Sequence, residues 1–169
     1  MTKEDQEFYT VRRYALQQQE DGGLTPSMED YLEMACRLSQ GKGFVRVGDL
    51  AASLNVQPPS ATKMLQKMAE LGYANYEKYG VVNLTKTGAS LGADLLWRHE
   101  AVARFLQILG VTEGLLEETE KIEHSLSCGT VERMIFLVEF LKDNQEWEAA
   151  YAKFAREKSV QPAVINIPG

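Results

Sequence analysis

Phe44-Val-Arg-Val-Gly-Asp-Leu-Ala-Ala-Ser-Leu-Asn-Val-Gln-Pro-Pro-Ser-Ala-Thr-Lys-Met-Leu-Gln-Lys-Met-Ala-Glu-Leu-Gly-Tyr73, with the run that continues to Thr85 and Gly88, is the stretch that decides the fold. A first short helix, about Val47 to Leu54, puts Leu50, Ala51 and Leu54 on one side. Asn55-Val56 makes the turn, since Asn tolerates the left-handed backbone that a tight inter-helix turn demands. Pro58 or Pro59 opens a second helix, at a position where a missing N–H does no harm, and Gly72 caps it. Ala61, Met64, Leu65, Met68 and Leu71 recur at helical spacing and define its buried side. Tyr73 to Lys78 and Val81 to Leu84 read as two strands joined at Tyr79-Gly80. Helix, turn, helix and hairpin in this order make a winged helix-turn-helix.

The other side of the second helix carries Ser60, Thr62, Lys63, Gln66 and Lys67, with no acid before Glu70, and Pro59 at its start is a further candidate DNA contact. Hydroxyls, amides and ammonium groups are the types that bond phosphates and base edges. Lys78 and Tyr79 at the wing tip suit the DNA backbone. Winged helices also serve as protein-binding modules, so this reading stands beside DNA binding. The net charge of −6 looks wrong for a DNA binder. Over residues 44–88, however, five bases (Arg46, Lys63, Lys67, Lys78, Lys86) face three acids (Asp49, Glu70, Glu77), a local balance of +2. Local field matters more than total charge for docking on phosphates.

Outward from this stretch, Thr25-Pro26 opens an earlier helix packed through Tyr31, Leu32, Ala35, Cys36 and Leu38 and ended by Gly41 and Gly43. Residues 3–20 are helix-compatible but weakly apolar, and Asp21-Gly22-Gly23 breaks them off. After the hairpin, Thr85 caps a long helix to about Leu109, with Leu91, Leu95, Val102, Phe105, Leu106 and Leu109 as its buried stripe. A helix over about 131–142 has apolar residues well beyond one face, including Phe136, Leu137 and Phe140, which suggests a subunit interface. Residues 145–157 continue helical with Trp147, Ala150, Tyr151 and Phe154 in line. The fold class is mainly α: a winged helix-turn-helix DNA-binding domain over 25–90, then an all-helical domain over 91–157. An extension (1–24) and a tail (158–169) flank them. Two distant cysteines, no signal sequence and no spanning apolar run indicate a cytoplasmic chain with no membrane role. Cys128 reads as core packing.

Glu120, Glu123 and His124 stand at i, i+3 and i+4, which places two carboxylates and an imidazole on one helical patch. Such a patch repels itself unless a cation sits within it. Asp30 and Glu33, three apart on the first helix, and His99 on the long one, offer three more ligand types. A mixed oxygen and nitrogen cage and a solvated acidic helix are both compatible with this spacing.

Thr25-Pro-Ser-Met-Glu-Asp-Tyr-Leu-Glu33, Pro59-Ser-Ala-Thr-Lys-Met-Leu-Gln-Lys67, Tyr76-Glu-Lys-Tyr79, Arg98-His-Glu100, Phe105-Leu with Leu109-Gly-Val111, and Ile122-Glu-His124 occur as an ordered set. This set resembles the manganese-responsive branch of the DtxR family of metal-dependent bacterial repressors. The resemblance implies a homodimer binding double-stranded operator DNA, with two manganese ions per subunit at the junction of its domains. It further implies that metal binding orders the dimer for its operator. Carried over residue by residue, the metal ligands are Asp30, Glu33, His99, Glu120, Glu123 and His124. Four carboxylates and two imidazoles without a thiolate suit Mn²⁺ better than Zn²⁺ or Cu⁺, with Fe²⁺ and other divalent ions as further candidates. Two rival readings are a di-metal carboxylate enzyme and a winged-helix regulator of an organic ligand. Helical di-metal enzymes show paired Glu-x-x-His motifs, whereas Leu96 and Lys121 stand three before His99 and His124.

Overall fold

In the computed structural model, residues 24–77 and 80–159 are described. The readings made for residues 3–20, for Lys78 and Tyr79, and for the tail from Val160 lie outside them. The chain forms two compact units that divide between Leu96 and Trp97.

The first unit comprises α1 (Pro26–Ser39), β1 (Val45–Arg46), α2 (Val47–Ser53), α3 (Pro58–Glu70), β2 (Ala74–Tyr76), β3 (Val81–Leu84) and the first part of α4 (Lys86–Ile108). Thr25 caps α1: its hydroxyl accepts from the Met28 N–H at 3.3 Å, and Pro26 takes a position whose N–H would go unused. Asn55 adopts φ 53° between α2 and α3. The end of α3 is a Schellman turn: Gly72 at φ 80° donates to the Ala69 carbonyl, and the Tyr73 N–H donates to that of Met68. Thr85 then links this end to the start of α4. Its hydroxyl donates to the Gly72 carbonyl at 2.7 Å and accepts from the Gly88 N–H at 3.0 Å.

Leu32, Leu50, Ala61 and Leu65 are fully buried in one core with Met28, Val45, Met68, Val82 and Leu95. Each large side chain in it contributes roughly 1.5–3 kcal/mol of burial. The sheet has the order β1-β3-β2, all antiparallel, with Val45 opposite Val82 and Ala74 opposite Leu84. The hairpin β2–β3 is the wing; β1 is an addition that the sequence pattern did not reveal. Leu71, read as part of the buried side of α3, is 52 % exposed. It is the C-cap residue, where the chain has already left the helical face.

The second unit holds the rest of α4, α5 (Leu115–Glu123), α6 (Cys128–Asp143) and α7 (Gln145–Ser159). Gly110, at φ 91°, closes α4 with the same Schellman pairing: its N–H reaches the Gln107 carbonyl, and that of Val111 reaches Leu106. Leu109, assigned to the buried stripe, therefore falls past the helix end and is 40 % exposed. Ala101, Val102, Leu106 and Val131 form the core of this unit, with Ile122, Met134 and Ile135 packed against it. Ser127 caps α6 by accepting from the Thr130 N–H. Cys128, read as a core residue, is exposed: the chain turns after α5 and does not continue its helical spacing. Phe136, Leu137 and Phe140 on α6 and Trp147 and Phe154 on α7 are also exposed in the single chain. The apolar cleft beside them measures about 340 Å³.

Candidate metal centre and nucleic-acid interface

α3 presents Pro59, Ser60, Lys63, Gln66 and Lys67 to solvent, while Ala61, Leu65 and Met68 hold its other side in the core. Thr62 is half-buried, and its hydroxyl donates back to the Pro58 carbonyl at 3.0 Å, leaving the oxygen lone pairs outward. There is no acid in the first turn, so the positive end of the helix dipole is not offset. The helix is thus a rigid rod with hydroxyl, amide and ammonium groups on one exposed strip, the chemistry that nucleic acid requires.

Asp30 is half-buried on α1 and Glu33 is buried on it. Burial, and then the adjoining Asp30 carboxylate, push the Tyr31 phenol above its ordinary value. Glu33 Oε1 accepts from Arg37 Nη2 at 2.7 Å, a charge-assisted bond across one helical turn. The sequence reading left Arg37 out, although its place four residues after Glu33 is the spacing that favours such a pair.

In the second unit, α5 sorts its acids between two sides. Glu117 and Glu118 point outward and share Lys121, at 2.6 and 3.2 Å. The Lys121 ammonium, by hydrogen bond and charge, holds the Glu117 carboxyl below its ordinary value, and the two carboxylates hold Lys121 above its own. Glu120 and Glu123 turn instead toward His99 on α4. The His99 Nδ1 atom lies 3.0 Å from Glu123 Oε2 and 3.6 Å from Glu120 Oε1, and His124 Nε2 lies 3.6 Å from Glu123 Oε1. Glu123 is 2 % exposed, and neither carboxylate oxygen accepts a hydrogen bond. A buried ionised carboxylate is costly without compensation. One placed between two imidazoles, with a third oxygen donor close by, matches the donor set of a hard divalent cation. One side of α5 is thus a solvated acidic face, and the other turns Glu120 and Glu123 toward His99.

A winged helix with an uncompensated basic strip, in a chain that also carries a buried imidazole–carboxylate cluster, defines the class of metal-responsive DNA-binding regulators. Comparison with known proteins gives the family. Residues 23–82 match the iron dependent repressor N-terminal DNA binding domain, and residues 85–148 match the iron dependent repressor metal binding and dimerisation domain. The HTH-type transcriptional regulator MntR of Oceanobacillus iheyensis is 41% identical over 138 residues, covering 81% of this chain and 94% of that protein. MntR of Bacillus velezensis is 43% identical over 146 residues, covering 86% and 98%. Among solved structures, the manganese regulator SloR superposes with TM-score 0.60 at 27% identity over 69% of this chain, which spans about half (55%) of that one.

The chain belongs to the MntR branch of the DtxR family of metal-dependent repressors. It is a DNA-binding transcriptional repressor that responds to a divalent metal and dimerises, and it is not an enzyme. Among the described residues no helix is long and apolar enough to cross a membrane.

Proposed function

We propose that the chain is a cytoplasmic, manganese-responsive homodimeric repressor of double-stranded operators. Residues 25–90 read DNA and residues 91–157 serve metal binding and dimerisation. Asp30, Glu33, His99, Glu120, Glu123 and His124 are the ligands, for two ions per subunit. The observation that carries this reading is the buried Glu123 carboxylate, flanked by His99 and His124 and accepting no hydrogen bond. The names of the relatives support manganese as the ion, and the thiolate-free donor set agrees. Fe²⁺ and other divalent ions remain competitors through geometry and supply.

When bound, the cation supplies positive charge among four carboxylates. Without that charge, a ligand set of four carboxylates, Asp30, Glu33, Glu120 and Glu123, is self-repelling. The ligand side chains thereby restrain the reading heads only in the loaded state, which lowers the ordering entropy left for operator binding. Pro59, Ser60, Thr62, Lys63 and Gln66 enter the major groove; Lys67, Lys78 and Tyr79 hold phosphates. The exposed aromatic face of α6 and α7 suits the homodimer contact. The test is selection of duplexes from a random pool with Mn²⁺, followed by titration of Mn²⁺ against binding. Metal-dependent binding that chelation reverses is expected; equal binding in chelator would refute the proposal.

A further inference from the structure

Arg37 has no place in the ligand set, yet it makes one of the shortest polar contacts of α1. Its Nη2 atom is 2.7 Å from Glu33 Oε1; the Glu33 side chain is 10% exposed and that of Arg37 43%. The pair runs Glu to Arg in the N-to-C direction at i, i+4, the favourable orientation on a helix. A buried carboxylate needs positive charge or donors near it, and a half-exposed guanidinium can supply both from the solvent side.

We propose that Arg37 is the counter-ion of Glu33 in the metal-free protein, and that it sets the metal concentration at which the repressor responds. This rests on the reading of Glu33 as a ligand. Two features make Arg37 a competitor and not merely a support. It is a full positive charge next to a carboxylate that must receive a divalent cation, so the two cations repel at short range. It also occupies one of the carboxylate oxygens that a metal would use. Arg37 is exposed enough to swing into water when displaced, so competition does not trap the site. Arg37 thereby adds positive charge beside the Glu33 carboxylate in the metal-free chain, while the affinity for metal is lowered.

The test uses the full chain with Mn²⁺ alone, following free Mn²⁺ by electron paramagnetic resonance. Arg37→Gln should tighten Mn²⁺ binding about tenfold, the equivalent of ~1.4 kcal/mol. Arg37→Lys, which keeps the charge, should stay within about threefold of wild type. In chelator, Arg37→Gln should melt lower than wild type, and adding Glu33→Gln should remove most of that loss, a coupling read from the double-mutant cycle. Unchanged or weaker Mn²⁺ binding in Arg37→Gln overturns the proposal, weaker binding meaning that Arg37 aligns Glu33 for the metal. Equal tightening in Arg37→Lys also overturns it. Glu33→Gln separates this from the underlying reading: if that variant keeps wild-type stoichiometry and affinity, Glu33 is not a ligand. If it loses a site while Arg37→Gln changes nothing, the ligand reading stands and the counter-ion proposal falls.

Discussion

His99 Nδ1 and Glu123 Oε2 lie 3.0 Å apart although they belong to different helices, α4 and α5. The turn through Gly110 and Gly114, both at positive φ, folds α5 back so that the two meet. Because His99 also faces Glu120 at 3.6 Å, it is the common neighbour of both carboxylates. His99→Ala and Glu120→Ala should each abolish metal-dependent operator binding at micromolar Mn²⁺. Fluorescence anisotropy with labelled duplex reads this directly. A wild-type metal response in either variant would remove that residue from the ligand set.

Glu123 should show the opposite sign in the metal-free protein. Its carboxylate is buried and accepts no hydrogen bond. Glu123→Gln removes the charge at constant volume, so metal-free stability should rise by about 1 kcal/mol, a gain of a few degrees in Tm. The same substitution should eliminate the metal response. Melting curves in chelator check the first half, and a lower Tm would show that the charge is held by the folded protein even without metal.

On the reading head, Lys63 and Lys67 are exposed on α3. Lys67→Ala should weaken operator and unrelated duplex alike and reduce the slope of log affinity against log salt by about 1. Gln66→Ala should instead relax sequence discrimination by roughly 1–3 kcal/mol at one base pair. Anisotropy titrations over a salt series distinguish them. An unchanged salt slope for Lys67→Ala would remove it from the phosphate contacts.

The parts of the fold visible from the sequence were those with local chemistry. Thr25, Pro26, Asn55 and Gly72 announce caps and turns whatever surrounds them, and the apolar spacing of α1, α2 and α3 does the rest. β1 could not be read this way. It is two residues long and exists only through pairing with β3, some 35 positions later by register. Leu71 and Leu109 were misplaced because periodicity continues on paper after the helix has stopped. That Glu120, Glu123 and His124 share one patch of α5 was legible from their spacing. That Glu120 and Glu123 face His99 was not, because it depends on the packing of α5 against α4.

The two cysteines should differ in reactivity. Cys36 is half-buried and its thiol lies 4.0 Å from the Ala89 carbonyl oxygen. Burial, then the Glu33 carboxylate, push its pKa up. A raised thiol pKa means less thiolate at any pH below it, and thiolate is the reactive form. At about pH 8, near the ordinary thiol value of ~8.5, iodoacetamide should therefore modify exposed Cys128 well before Cys36. Labelling of Cys36 should accelerate only as pH climbs further. Glu33→Gln should bring that acceleration to lower pH. Peptide mass spectrometry after timed quenching resolves the two sites, and equal rates would contradict the buried placement of Cys36.

Two glycines let α4 seat closely against the first unit's core. Gly88 lies in its first turn, where Ala would ordinarily add about 1 kcal/mol of helix propensity. Here a Cβ would overlap the carbonyl oxygen of Tyr73. That carbonyl cannot move aside cheaply, since it accepts from the Thr85 N–H at 3.0 Å, and Thr85 in turn ties Gly72 to α4. Gly92, one turn on, is similarly close: its Cβ would stand 2.7 Å from Cys36 Cβ on α1. The overlap at Gly88 is the deeper one and is with backbone; at Gly92 the added carbon meets Cys36 Cβ and, at 3.1 Å, the Leu32 carbonyl oxygen. Gly88→Ala should therefore cost more than Gly92→Ala, within a range of about 1–3 kcal/mol despite the propensity gain. Urea unfolding of metal-free protein measures both. If Gly88→Ala proved more stable than wild type, helix propensity would outweigh packing, and the close approach of α4 to Tyr73 would not hold in solution.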